Sequence, residues 1–114
     1  MAEHAADWTV LLDTTSRIVY ELGSRGAIGA GPPDVSSIGR RIAAFVHPDD
    51  ISFAVDRMEE SLSRTASVIS FEIRAGSPEE SWRRVAVVAV NCMHDPSLDG
   101  VILRIQSAAA GEAD

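Results

Sequence analysis

The sequence predicts an α+β fold in which a five-stranded antiparallel sheet carries helices packed on one face. Residues 48–64 have the apolar spacing of a long amphipathic helix, and segments of strand length precede and follow it. The links between these segments are short and rich in turn-forming residues, which favours antiparallel neighbours. An apolar content of 46% in 114 residues is enough for one packed core, so we expect a single domain.

The first two strands are predicted on either side of a Thr-Thr-Ser turn, at residues 8–13 and 17–22. Three apolar side chains of the second strand are expected on one face: Ile18, Tyr20 and Leu22. Glycine and proline are frequent in residues 23–34, which predicts a loop. Residues 35–45 have room for a short helix or turn, because Ile38, Ile42 and Phe45 lie at helical spacing.

The long helix is predicted to begin at Pro48 and to end near Arg64. Proline is favoured at the first helical position, and the two aspartates after it place negative charge where the helix dipole favours it. The three- and four-residue spacing of four apolar residues predicts one apolar stripe along the helix: Ile51, Val55, Met58 and Leu62. Four charged residues are expected to face the solvent: Asp56, Arg57, Glu59 and Glu60.

Three further strands are predicted at residues 67–74, 82–91 and 100–107, joined by loops at 75–81 and 94–99. The middle strand is apolar on both faces over most of its length, which predicts a central position in the sheet. The side chains expected to face the helices, as core or as the lining of a small pocket, are Ile69, Phe71, Ile73, Val85, Val87, Val101, Leu103 and Ile105, with Met58 opposite them on the helix.

The other face of the sheet is predicted to carry an apolar patch made of Ala86, Val88, Val90 and Ile102. Such a patch is costly to expose to water and marks a partner surface. The alternative is that the terminal segments fold over it. We expect residues 1–7 to be a flexible stub, residues 8–107 the domain, and residues 108–114 a linker or tail.

The formal net charge is −7 and every cation apart from histidine is arginine, so nucleic acid and anionic membranes are not expected as partners. Cys92 is the single cysteine, which rules out an internal disulfide and favours a reducing compartment. No apolar run approaches the ~20 residues of a membrane span. The first seven residues lack the features of a signal peptide, so a cytoplasmic location is predicted.

Several short motifs together resemble the PAS domain, a sensor module of bacterial signalling proteins, from about Trp8 to Gln106. They are Leu12-Asp13 before a turn, Gly39-Arg40, Val46-His47-Pro48-Asp49-Asp50, Phe71-Glu72-Ile73-Arg74, Trp82-Arg83, and the run from Asn91 to Leu103 that contains Asp95-Pro96 and Asp99-Gly100. The last run is similar to PAS domains of actinobacterial multidomain proteins, which precede histidine kinase or cyclic-di-GMP modules.

The resemblance implies a non-catalytic sensory module that regulates an output domain of the same protein and forms a homodimer through the apolar sheet face, without a cofactor. The alternative is a PAS domain that binds haem, flavin or a metabolite. Three departures from the family pattern stand out, and the first is a loop before Trp82 that is longer than usual. Residues 105–108, Ile-Gln-Ser-Ala, replace a frequent Asp-Ile-Thr or Asp-Val-Thr ending, and the segment 23–45 is short, so a small or absent pocket is expected.

His47 is the residue that a haem-binding member of the family would use, but at a helix start it is expected to cap and pack. Cys92 and His94 are too few for a metal site, so Cys92 is expected to be a buried structural thiol. The acidic residues are expected to be solvated: Asp49, Asp50, Glu59, Glu60, Glu79 and Glu80. The sequence shows no convergent nucleophile, base and oxyanion donor, which leaves a small stand-alone enzyme as a remote alternative.

Overall fold

The computed structural model describes residues 7–31, 35–64, 67–78 and 81–108. Its strands are β1 (Trp8–Leu12), β2 (Ile18–Leu22), β3 (Val68–Ser77), β4 (Ser81–Cys92) and β5 (Gly100–Ser107), and its α-helix is α1 (Ile51–Leu62). Short 3₁₀ helices lie between β2 and α1, at Arg25–Ile28, Ile42–Phe45 and Pro48–Asp50. The predicted α+β class, a five-stranded antiparallel sheet with helices on one face, is therefore confirmed.

The strands are ordered β2-β1-β5-β4-β3, so the first strand lies between the second and the last. Strands β3 and β4 form a long hairpin, paired from Val68 with Val90 to Ser77 with Ser81. The predicted loop at 75–81 is thus too long, because β3 continues through Gly76, whose φ of 144° few other residues adopt. At the opposite end, Gly100 lets β5 pass close to the Leu12 carbonyl, where a Cβ atom would collide.

The core lies between the inner face of the sheet and the helical segments, and α1 packs on β3 and β4. As predicted, alternate residues of the last three strands face the helical segments: Ile69, Ile73, Val85, Val87, Val101, Leu103 and Ile105 are buried and Phe71 is half-buried. Ala89, which was not predicted, is buried beside them. Trp8, Val10 and Leu12 of β1 complete the floor of the core. The period-two pattern of the sequence therefore identified the buried face of these strands correctly.

The β1–β2 hairpin differs from the prediction. Leu11 pairs with Tyr20 but Leu12 pairs with Ile18, so the register shifts at a bulge that includes Val19. Ile18 is therefore fully buried while Tyr20 and Leu22 are more than half exposed. The expectation that Ile18, Tyr20 and Leu22 share one face was wrong, because an extra residue in a strand reverses the faces of the side chains that follow it.

The helix begins as expected, but its stripe has a different environment. The 3₁₀ turn at Pro48–Asp50 leads directly into α1, which ends at Leu62. Ile51 and Met58 are half-buried, whereas Val55 and Leu62 remain 47% and 46% exposed. The helix does not press its whole apolar stripe onto the sheet, and the space left beneath it is the cavity described next.

Candidate functional site

A cavity of about 270 Å³ lies between the sheet and the helical segments. Its floor is formed by the four strands β1, β3, β4 and β5, one wall by α1 and the other by the 3₁₀ helix Ile42–Phe45. The lining residues are Trp8, Ser16, Ile42, Ala43, Phe45, Val46, Ile51, Ala54, Val55, Met58, Glu59, Leu62, Phe71, Ile73, Ala75, Val85, Val87, Leu103 and Ile105. The short segment at 23–45 thus coexists with a sizeable cavity, contrary to the expectation that the pocket is small or absent.

The structure brings together most of the residues that the sequence suggested for a pocket. Six of them lie on the cavity surface: Met58, Phe71, Ile73, Val85, Val87 and Leu103. The seventh, Ile69, is buried but is not part of the lining. Ile69 pairs with Ala89, next to the lining pair of Phe71 and Val87 but outside the cavity. It lies towards the start of β3, where Ser67 donates a hydrogen bond to the Ser61 carbonyl of α1.

The mouth of the cavity is marked by the lining residues that are also exposed. Ser16 and Ala43 lie on one side, and Val55, Glu59 and Leu62 of α1 lie on the other. Glu59 was expected to face the solvent with the other charged residues of the helix. It is exposed, but its place in the lining also makes it the single acidic side chain among the described residues at this mouth.

The wall beside Trp8 and Phe45 is held by a ring of polar contacts. Trp8 Nε1 donates to Glu21 Oε2 at 2.7 Å, and Glu21 Oε1 accepts from the backbone N–H of Ser37 at 3.1 Å. Arg25 Nε donates to Ser37 Oγ at 3.0 Å, and its guanidinium lies 4.0 Å from the centroid of the Phe45 ring. Phe45 in turn meets Trp8 edge to face, with 6.0 Å between ring centroids.

This ring, from Trp8 through Glu21, Ser37, Arg25 and Phe45 back to Trp8, was missed by sequence reasoning. Arg25 is 6% and Ser37 0% exposed, although Arg25 lies in a predicted loop and Ser37 in a segment predicted as a short helix or turn. A buried arginine needs polar partners, but the sequence shows neither the burial of Arg25 nor the partners that it finds. The partners lie 12 to 16 positions apart, and spacing does not predict such pairs.

His47 has the structural role that was expected of it. Its Nδ1 accepts a hydrogen bond from the backbone N–H of Asp49 at 3.1 Å, and its ring centroid lies 4.8 Å from that of Trp82. It does not line the cavity. The histidine therefore caps the 3₁₀ turn and packs on the β3–β4 hairpin.

Asp50 was expected to be solvated, and this was wrong. Its two carboxylate oxygens accept from Arg74 Nε at 3.0 Å, from Arg74 Nη2 at 2.8 Å and from the Arg74 backbone N–H at 2.8 Å. These bonds from Arg74 hold the pKa of Asp50 down at about 2. The pair fastens the start of the helical layer to β3, which is one edge of the cavity floor.

The remaining sequence candidates do not converge on a site. Cys92 is half-exposed at the end of β4, so the expectation of a fully buried thiol was wrong. Within the described residues no group of three or more histidine, cysteine or acidic residues is placed to hold a metal ion. Glu79 and Glu80 lie outside the described residues, and Glu60 pairs with Arg57 on the helix surface.

The outer face of the sheet, opposite the cavity, carries a continuous apolar row. Its members are cross-strand neighbours over all five strands: Tyr20, Leu11, Ile102, Val90 and Val68. Tyr20 and Val68, at the two ends, are 55% and 64% exposed. The four residues suggested for an interface, Ala86, Val88, Val90 and Ile102, all lie on this face and are half-buried.

The N-terminal end of β1 also reaches the outer face. Asp7 accepts hydrogen bonds from Arg104 at 3.0 Å and from Gln106 at 2.9 Å, beside the middle of the apolar row, where β5 continues from Ile102. A stub was expected at residues 1–7 and a tail at residues 108–114, and of these residues 1–6 and 109–114 lie outside the described residues. No helix in the described part of the chain is both long and apolar enough to cross a membrane.

No protein-family model and no curated protein sequence matches this chain, but solved structures do. The PAS domain of a protein from Colwellia psychrerythraea superposes with a TM-score of 0.73 at 15% identity, over 92% of this chain and 88% of that one. The PAS-B domain of Drosophila melanogaster Cycle with bound ethylene glycol gives 0.68 at 10% identity, over 88% and 98%. A variant of that domain with bound glycerol gives 0.62 at 11% identity, over 87% and 95%. The fold of this chain is that of a PAS domain.

Proposed function

We propose that this domain is a non-catalytic sensory module that regulates an output domain of a cytoplasmic bacterial signalling protein, such as a histidine kinase or a cyclic-di-GMP enzyme. The observation that carries the proposal is the open apolar cavity between sheet and helices, in a fold that other sensory domains share. Nearly the whole chain superposes on those domains, so the fold on which the proposal rests accounts for most of its length.

The outer face supports association with a second copy of the chain. The row from Tyr20 to Val68 crosses the full width of the sheet, and both of its ends are more than half exposed. Burying apolar surface is worth about 25 cal/mol per Å², so pairing two such faces would stabilise a dimer. In a homodimer with a two-fold axis, the same patch of each subunit meets its counterpart, so one apolar row would pair with the other.

Sedimentation of the purified domain over a wide concentration range tests this association. We expect a monomer–dimer equilibrium that Val90→Glu shifts to monomer, because a charge inside the row cannot be buried without a partner. Val19→Glu is the matched control, since Val19 is exposed at the bulge and lies outside the row. A wild-type domain that stays monomeric at millimolar concentration would contradict the proposed interface.

A small ligand in the cavity is the second part of the proposal. The volume of 270 Å³ exceeds the ~150 Å³ of an apolar cavity known to take up benzene. A haem group is less well supported, because His47 is engaged by Asp49 and Trp82 away from the lining. Native mass spectrometry after gentle purification tests for a retained ligand, and titration with small apolar probes tests for binding.

A further inference from the structure

We propose that the cavity selects a mainly apolar small molecule that is neutral or carries a single positive charge at the mouth, and that it excludes anions. This inference rests on the proposed ligand-binding function and names the chemical class of the ligand. It follows from which side chains line the cavity and from which charges are near them.

The lining is apolar except at the mouth. All lining side chains but two are hydrocarbon, aromatic or thioether groups, and the two exceptions are Ser16 and Glu59. Arginine and histidine are absent from the described lining residues. The apolar part of a ligand would therefore displace water from the apolar walls of the cavity. A polar group on the ligand would find polar side chains only at the mouth.

Anions are disfavoured for two reasons. A carboxylate or phosphate inside the cavity would lose its hydration without gaining a cationic partner, which weakens its binding. At the mouth it would meet the like charge of Glu59. Arg25 and Arg40 lie 4.0 and 5.3 Å from the centroid of the Phe45 ring, but neither side chain forms part of the lining.

A cation or a hydrogen-bond donor, in contrast, has a partner that is available. Glu59 makes no ion pair with any described residue, whereas its neighbour Glu60 is paired with Arg57. An ammonium or hydroxyl group that remains in the mouth keeps part of its hydration and contacts the carboxylate. Exposed pairs of this kind are weak, so we expect a preference of roughly two- to fivefold and not an absolute requirement.

Two series of probes, each with one apolar group in common and with varying charge, test the inference. Indole, tryptamine and indole-3-acetate form the first series, and octanol, octylamine and octanoate form the second. Affinity is measured by calorimetry, and the site is identified by the NMR shift of the Met58 methyl group, which lies in the lining. We expect the neutral and cationic members to bind and each anion to bind at least tenfold more weakly than its neutral analogue.

The role of Glu59 is tested in the same assay with Glu59→Gln. We expect this variant to lose the two- to fivefold preference for the amines and to bind indole and octanol as the wild type does. Asp56→Asn is the matched control, because it removes one charge from the exposed side of the same helix outside the lining.

The outcomes separate the two proposals. Anions that bind as tightly as their neutral analogues would overturn the charge selection but leave the cavity a ligand site. An amine preference that persists in Glu59→Gln would overturn the role of Glu59. If no member of either series shifts the Met58 methyl signal, the ligand-binding proposal itself is wrong, and the charge selection falls with it.

Discussion

At the scale of single residues, the bond between Asp50 and Arg74 shows how one side chain positions an element. The carboxylate is tied by two bonds to the guanidinium and by a third to the backbone of β3, while it sits in the turn that starts the helix. It therefore fixes the distance between helix and sheet at one end of the cavity. Charge-assisted bidentate pairs of this type are the strongest hydrogen bonds in proteins.

Replacing this carboxylate is expected to change stability in a pH-dependent way. The folded-state pKa of about 2 lies below that of the unfolded chain, so ionised Asp50 stabilises the native state at neutral pH. This contribution is lost as the pH falls from about 4 towards 2. Because Arg74 is 40% exposed, solvent screening reduces it to about 1 kcal/mol.

Asp50→Asn should therefore lower the free energy of unfolding by about 1 kcal/mol at pH 7 and by less at pH 2 to 3, measured by urea denaturation. Asp49→Asn, one residue earlier and exposed, is the control and should change stability by less than about 0.5 kcal/mol. Equal losses for Asp50→Asn at both pH values would show that the ion pair is not the cause.

The buried Ser37 gives a second prediction at this scale. Ser37→Ala leaves Arg25 Nε without the hydroxyl that accepts its hydrogen bond, in a place closed to water. The unfolding free energy should fall by about 1 to 3 kcal/mol. Ser52→Ala, at an exposed position of α1 outside the ring, is the control and should cost well under 1 kcal/mol in the same denaturation experiment. Similar losses for both variants would mean that the hydrogen bond between Arg25 and Ser37 does not stabilise the fold.

These residues also show where sequence reasoning stops. The capping role of His47 was predictable because a cap acts within three positions of the chain. The partners of Asp50 and Arg25 were not, since they are 24 and 12 residues away and depend on how the sheet and the loops come together. Local signals thus identified the elements, while the contacts that fix the site arise only in the tertiary structure.

At the scale of elements, periodicity predicted β3, β4 and β5 well and failed for β2 and for the packing of α1. The bulge at Val19 turns Tyr20 outward. The sequence of this five-residue strand contains no pattern that predicts a bulge. The apolar stripe of α1 was identified correctly, but part of it lines an open cavity. Hydrophobic spacing indicates which side of a helix is apolar and does not tell whether that side meets side chains or empty space.

A larger side chain on α1 should fill the cavity. Ala54 lines it and is half-buried, so Ala54→Leu adds apolar volume without loss of helix propensity. We expect the unfolding free energy of the ligand-free domain to rise by about 1 kcal/mol and the binding of indole to be lost. Thermal denaturation and calorimetric titration measure these two effects.

Ala44→Leu is the control for this variant, because Ala44 is exposed and does not line the cavity. It should change neither the stability by more than about 0.5 kcal/mol nor the affinity for indole. Retained indole binding in Ala54→Leu would place the ligand outside the space beneath α1.

At the scale of the whole molecule, the cavity and the proposed dimer interface share two strands. Val85 and Val87 of β4 point into the cavity, and Ala86, Val88 and Val90 point to the outer face. In β5, Leu103 lines the cavity and Ile102 belongs to the apolar row. A change in the twist of these two strands would therefore move side chains on both faces. In this way, a ligand in the cavity would alter the proposed dimer interface.

If the two faces are coupled, the affinity for a cavity ligand must depend on the state of association, and association must depend on the ligand by the same factor. We expect the dissociation constant of indole to differ by about fivefold or more between the Val90→Glu monomer and the wild-type dimer. Sedimentation of the wild type with saturating indole should show the reciprocal shift in the dimer constant.

Ala54→Leu provides the control, because a domain that cannot take up indole should dimerise equally with and without it. Identical indole affinities in monomer and dimer would mean that β4 and β5 serve two independent surfaces, and a signal would then have to leave the cavity through the helical layer instead.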